Sequence, residues 1–139
     1  MYYILDTNIC DLVRTKDPTV MTHIRALPPD AKVVTTVVTF GESMGGWLPL
    51  CRRAATGAAR AAAYESLFKA LAFYLKIEVL PFTKAAGIVF DQLRARDKRI
   101  GTNDLAIAAI ALSFNGILVT RNFVDFSRIP DLPLEDWTK

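Results

Sequence analysis

A chain of 139 residues has the length of one domain and can bury a substantial core. Its 52% hydrophobic content and mean hydropathy of +0.25 exclude a disordered chain, and the apolar excess points to a surface patch for a homodimer contact or a bound peptide. Seventeen Lys and Arg against fourteen Asp and Glu leave a net charge of +3, a mild lean toward polyanions such as nucleic acid.

The chain opens on MYYILD, an apolar run without a basic flank that Asp6 interrupts, so no signal peptide is predicted. Tyr2 to Leu5 reads as a first buried strand and Lys32 to Val38, rich in β-branched residues, as a second. Between them Ile9 to Leu27 has helical spacing and stops at Pro28-Pro29-Asp30, completing a βαβ unit. From Thr39 the chain turns helical, with Gly45-Gly46 as a break or kink, and Arg52 to Lys76 is rich in helix formers, which gives a helical pair. Ile77 to Pro81 is a third strand, followed by a helix from Thr83 to Arg96 and a basic turn, Asp97 to Gly101. Thr102 to Asn115 is an Ala- and Ile-rich helix with Gly116 as its C-cap, and Ile117 to Thr120 is the fourth strand. Pro130 to Trp137 adds an edge strand or packs Trp137 against the sheet.

This alternation predicts one α/β domain over residues 1–139, with helices on both faces of a parallel sheet of four to five strands. The longest charge-free stretch, Leu105 to Thr120, contains Asn115 and Gly116 and is shorter than the roughly 20 residues that span a bilayer. No membrane segment is therefore expected. Cys10 and Cys51 lack metal or redox spacing, in keeping with a reducing, cytoplasmic setting.

Chemistry enters with the acids. Asp6 follows the first strand, Glu42 lies a few residues after the second, Asp104 opens the helix after the basic turn, and Asp125 comes five residues past the fourth strand. In a doubly wound sheet these junctions meet at one edge. Each acid alone has a plainer reading: an Asx turn for Asp6, a capping box Thr39-x-x-Glu42, a helix-dipole partner for Asp104, and a solvated turn for Asp125. As a set, four carboxylates would raise one another's pKa values unless a cation neutralised them, and oxygen donors without His or Cys suit Mg²⁺ or Mn²⁺. Such sites mostly act on phosphate esters. Other chemistry is missing: His23 is the lone histidine, and no nucleophile elbow, P-loop or dinucleotide fingerprint occurs.

The stretches LDTN (5–8), TFGE (39–42), RIGTNDLAIAAIAL (99–112), LVTRNFVDF (118–126) and LEDW (134–137) resemble PIN-domain nucleases, specifically VapC-like toxins of type II toxin–antitoxin systems. The resemblance runs nearly end to end and implies a PIN-like fold and a Mg²⁺- or Mn²⁺-dependent endoribonuclease. An antitoxin lying across the groove would silence it. By that resemblance Asp6, Glu42, Asp104 and Asp125 are the catalytic and metal-binding acids, the last being the more variable, and Asn8, Thr120 and Asn122 support them. One or two ions would activate water for in-line attack on RNA, leaving a 5′-phosphate and a 3′-hydroxyl. Asp131 stands where the family often has Gly, and the Ala-rich middle helix is atypical, which touches partner contacts more than catalysis.

Arg94, Arg96, Lys98 and Arg99 before Asp104, with Arg121 after the fourth strand, are candidate contacts to the RNA backbone, although basic residues in a last helical turn also complement the dipole. Arg14, Lys16, Arg52, Arg53 and Arg60 would widen that track or simply solvate helix faces. Two readings compete. A PIN fold that binds RNA or antitoxin without cutting is one, and an aspartyl phosphatase is the other, disfavoured because Asn8 stands where a second Asp is needed.

Overall fold

The computed structural model describes residues 1–139. Five parallel strands, β1 (Tyr2–Leu5), β2 (Lys32–Thr36), β3 (Glu78–Leu80), β4 (Ile117–Val119) and β5 (Leu134–Glu135), lie in the order β3-β2-β1-β4-β5. The chain builds outward from β1 through β2 to β3, then crosses to β4 and β5 on the other side. The order therefore reverses between β1 and β4, where a doubly wound sheet opens a crevice at its carboxyl edge.

Seven helices cover the sheet: α1 (Thr7–Arg14), α2 (Pro18–Arg25), α3 (Val37–Arg53), α4 (Gly57–Lys76), α5 (Lys84–Arg96), α6 (Thr102–Ser113) and α7 (Phe123–Phe126). Strand side chains alternate between two cores, as a period of two requires. Ile4, Val34 and Leu118 face a larger core with Ala86 and Leu93 of α5 and Leu105, Ile107 and Ile110 of α6. Leu5 and Val119 face a smaller one with Ile9 and Cys10 of α1, Val20 of α2 and Trp137. The result is the three-layer α/β/α arrangement expected from the sequence.

Four local expectations are corrected. The helix placed over Ile9 to Leu27 is two helices, because Lys16 adopts a left-handed φ of 59° and Asp17 then caps a new helix with Pro18 in its first turn. The helix after β2 starts earlier than Thr39. Thr36 ends the strand and caps α3 by accepting from the Thr39 N–H at 3.1 Å, so no Thr39–Glu42 capping box forms. Gly45-Gly46 does not interrupt α3, which continues to Arg53. At the end of α6 the left-handed residue is Asn115 (φ 54°), not Gly116. Gly116 answers a packing need instead, since a Cβ there would lie 2.5 Å from Ile4 Cδ1. The tail forms β5 and also buries Trp137, so both alternatives for it hold.

Candidate active site

The strands hand over to helices abruptly, and the residues that make the turn also furnish the site. Asp6 leaves β1 and caps α1: its Oδ1 accepts from the Ile9 N–H at 3.1 Å and its Oδ2 from the hydroxyl of Thr120, which leaves β4. Asp104 lies in the first turn of α6, and Asn122 caps α7. These N-termini converge at the carboxyl edge of the sheet, with dipoles that favour negative charge there.

Asp6, Glu42 and Asp104 line one recess of about 220 Å³ together with Thr7, Asn8, Ile107, Asn122 and Phe126. Asp125 stands just outside it and is tied in by Asn122. The Asn122 amide donates to Asp125 Oδ2 at 3.2 Å and to Asp104 Oδ2 at 3.5 Å, while its backbone N–H donates to Thr120 Oγ1 at 2.9 Å. Arg128 approaches the other Asp125 oxygen at 4.0 Å. Asn8 is exposed on the rim.

The electrostatics follow from this crowding. Burial pushes the Asp6 carboxyl up from 3.8, with the charges of Glu42 and Asp11 adding to it, against the stabilising hydrogen bonds from Thr120 and Ile9. Asp104 is likewise raised by burial and then by Glu42, Asp125 and Asp6 in turn. Asp104 therefore feels the other three acids, and Asp6 feels Glu42. As folded, no three His, Cys, Asp or Glu side chains are drawn together tightly enough to hold an ion. The donor chemistry nevertheless fits a hard divalent cation, because the ligand-type groups lining the recess are carboxylates and no His or Cys lies there.

Thr7 and Asn103 contact the candidate acids but were not singled out from the sequence. Thr7 Oγ1 donates to Glu42 Oε1 at 2.7 Å and Asn103 Nδ2 to Oε2 at 3.3 Å, so α1 and α6 grip the carboxylate carried by α3. Adjacency to Asp6 and Asp104 was the available signal. Behind Glu42, Ser43 Oγ and Tyr74 OH share a buried 2.5 Å hydrogen bond that anchors α3 to the last turn of α4. Nothing in sequence spacing announces a pair 31 residues apart.

The basic residues are dispersed. Arg99 forms a forked pair with Asp97, both contacts at 3.1 Å, which holds the Asp97 carboxyl down at about 2. Arg94 braces the turn through Ile100 O (2.9 Å) and Thr102 Oγ1 (3.2 Å). Arg96 lines a separate recess with Val89, Leu112 and Asp131, away from the acids. Lys98 and Arg121 are exposed, and their side chains make no ion pair.

A doubly wound sheet with acids at its β1/β4 crevice defines a class of protein, and the chain matches the PIN domain family over residues 3–132 and belongs to it. Within that family its likeness runs to the VapC ribonucleases. It is 31% identical to ribonuclease VapC1 of Haemophilus influenzae, with the whole of both chains covered. Its fold superposes on VapBC-1 from nontypeable Haemophilus influenzae with a TM-score of 0.80, at 27% identity and full coverage of both chains. VapBC2 from Rickettsia felis, solved bound to a DNA fragment from its promoter, gives a TM-score of 0.81 at 27% identity over 99% of both chains. No helix of the structure is long and apolar enough to cross a membrane.

Proposed function

We propose that the chain is a Mg²⁺- or Mn²⁺-dependent endoribonuclease that hydrolyses RNA phosphodiester bonds as the toxin of a toxin–antitoxin pair. The observation that carries this reading is the meeting of Asp6, Glu42 and Asp125, which follow three different strands, with Asp104 from the first turn of α6, in and beside one recess where burial and mutual repulsion raise Asp104. Membership of the PIN family and the likeness to a protein named ribonuclease VapC1 support it.

Those four acids would hold the cation. When bound, the ion supplies positive charge to a phosphoryl oxygen and lowers the pKa of water at the site. The chain's own residues prepare the recess. Thr120 and the Ile9 amide fix both oxygens of Asp6, Asn122 links Asp104 to Asp125, and Thr7 with Asn103 sets the direction of Glu42. Thr120 and Asn122 are thus positioning residues, and Asn8 stands at the rim as a polar contact. Lys98 and Arg121, exposed and free of ion pairs, are the cations we assign to the phosphate backbone, whereas Arg94 and Arg99 are engaged in the turn. Products carry a 5′-phosphate and a 3′-hydroxyl, without a covalent enzyme intermediate.

The partners follow from the surface. Tyr64, Phe68, Leu71 and Leu75 form an exposed stripe along α4, the kind of face an antitoxin segment or a second copy of the chain covers. The neighbours in the solved structures are toxin–antitoxin complexes, and the proposed setting is the cytoplasm, where the RNA is. The test is cleavage of a structured RNA with Mg²⁺ or Mn²⁺, with EDTA, and by Asp6→Ala. Cutting that needs the metal and is lost in the variant is expected. Equal cutting by Asp6→Ala rejects the site, and tight RNA binding with no metal-dependent cutting makes the chain a binding module.

A further inference from the structure

Next to the acidic recess lies a second one of about 330 Å³, between α1 and α3, whose walls include Asp11, Gly46, Trp47 and Leu50. Thr7 and Glu42 line both, so the two recesses adjoin at this hydrogen-bonded pair. We propose that this second recess is a nucleobase subsite: Trp47 stacks on an unpaired base flanking the scissile phosphate, and Asp11 accepts a hydrogen bond from that base. The inference rests on the ribonuclease reading and extends it to substrate recognition.

Three observations converge. The volume admits a single flat base, and an RNA strand with a phosphate at the acids must place a neighbouring nucleotide within reach of the adjoining wall. Trp47 offers that wall an indole, the side chain on which unpaired bases stack without regard to sequence. The Arg14 guanidinium sits over one face of the Trp47 ring, 5.8 Å from its centroid, and does not line the recess, so stacking there would use the other face. Finally, Asp11 is half exposed and paired only loosely with Arg14, at 3.6 Å, which leaves carboxylate acceptor capacity at the edge. Amino-bearing bases satisfy it, and uracil, without an amino group, satisfies it less well. An apolar peptide side chain would instead cover the free acceptor capacity of the Asp11 carboxylate without satisfying it, a costly arrangement. A nucleobase, apolar on its face and polar on its edge, matches the mixture.

Gly46 supplies an independent handle. A Cβ added there would meet no atom within 4 Å, so Gly46→Leu projects a side chain into the recess while improving helix propensity. The experiment measures cleavage of short single-stranded oligonucleotides carrying each of the four bases at each position flanking the cut, with Mn²⁺. Binding of the same labelled oligonucleotides to Asp104→Asn protein is followed in parallel by fluorescence anisotropy. Expected are a rise in KM on the order of tenfold for Trp47→Ala, loss of base preference at one flanking position, and near-complete rescue by Trp47→Phe. Gly46→Leu reproduces the KM effect with no loss of thermal stability, and Asp11→Asn alters the preferred base. Unchanged KM and base preference in both Trp47→Ala and Gly46→Leu overturn the subsite, as does a uniform fall in kcat at every sequence without a KM change. Tighter binding of a basic peptide than of any oligonucleotide, abolished by the same variants, also overturns it and gives the recess to a protein partner. If the wild type cuts nothing, the ribonuclease reading falls while anisotropy still decides the subsite: weaker binding with Trp47→Ala in the Asp104→Asn background supports it, and unchanged binding refutes it.

Discussion

Helices α4 and α6 are both rich in Ala and large apolar residues, yet they live opposite lives. In α6, Leu105, Ile107, Ala108, Ala109, Ile110 and Ala111 are buried between the sheet and α5. In the longer α4 only Ala70 and Tyr74 are buried, and Phe68 and Leu75 stand 69% and 77% exposed. The contrast teaches that apolar content places a helix in an interior without saying whose. The interior around α6 belongs to the chain itself, which is why its first turn can present Asp104 at a fixed point. The apolar side of α4 is left exposed, and its last turn, through Tyr74 and Ser43, bears on the site.

Truncation in the middle of α6 should have the largest effect. Ile110→Ala is expected to cost about 3 kcal/mol and lower Tm by roughly 10 °C in a thermal melt. A loss below about 1 kcal/mol would mean that α6 is not the core helix described above.

Asp104→Asn separates function from stability on the same helix. Cleavage should fall by more than about 100-fold, while the metal-free protein gains about 1 to 3 °C in Tm, because a half-buried charge facing three other acids is removed. The sign with pH follows from the raised pKa. Between 3.8 and the raised folded value the native chain binds more protons at Asp104 than the unfolded chain. This group's contribution to stability therefore declines as pH rises through that window and stays unfavourable above it. The stability difference between variant and wild type should accordingly widen from acid to neutral pH in urea titrations.

Thr120→Val removes the hydroxyl that Asp6 accepts from, and with it one of the interactions opposing the upward push of burial. Activity should drop on the order of 10- to 100-fold, with the acid limb of the pH–rate profile moving to higher pH. A pH profile that does not move would reduce Thr120 to a packing residue.

At α4 the expected effects are smaller. Tyr74→Phe leaves the buried Ser43 hydroxyl without its partner and should cost about 1 kcal/mol in a denaturant melt. The double change Phe68→Ser and Leu75→Ser should stay within about 0.5 kcal/mol of wild-type stability while lowering self-association or antitoxin binding, read by light scattering and co-purification. A large loss of stability there would show that α4 serves the chain's own core after all.

Much of the fold was legible because local rules and the tertiary structure agree: short β-branched runs became strands, and Ala- and Ile-rich stretches became helices. The misreadings fell where one residue's conformation overrode a pattern. Lys16 in a left-handed turn split a helical stretch in two, and Thr36 rather than Thr39 started α3. At the site, Asp6, Glu42 and Asp125 could be nominated from their places after strands and Asp104 from its place at a helix start, and Thr120 and Asn122 could be named with them by family resemblance. Thr7 and Asn103 could not be named, because they reach Glu42 only after three helices have docked, and in the basic turn before Asp104 the Arg99 side chain proved to be paired within the turn.

By itself the sequence determined the alternation of strand and helix and the family, and it nominated the acids, since each rests on residue type and on order along the chain. The tertiary structure alone decided which carboxylates share a recess, which cations remain unpaired, that Asp125 joins through Asn122, and that Trp47 and Asp11 line a second recess beside the first. Electrostatic coupling and cavity walls depend on distance in space, and residues more than a hundred positions apart, such as Asp6 and Thr120, become neighbours only when parallel strands are laid side by side.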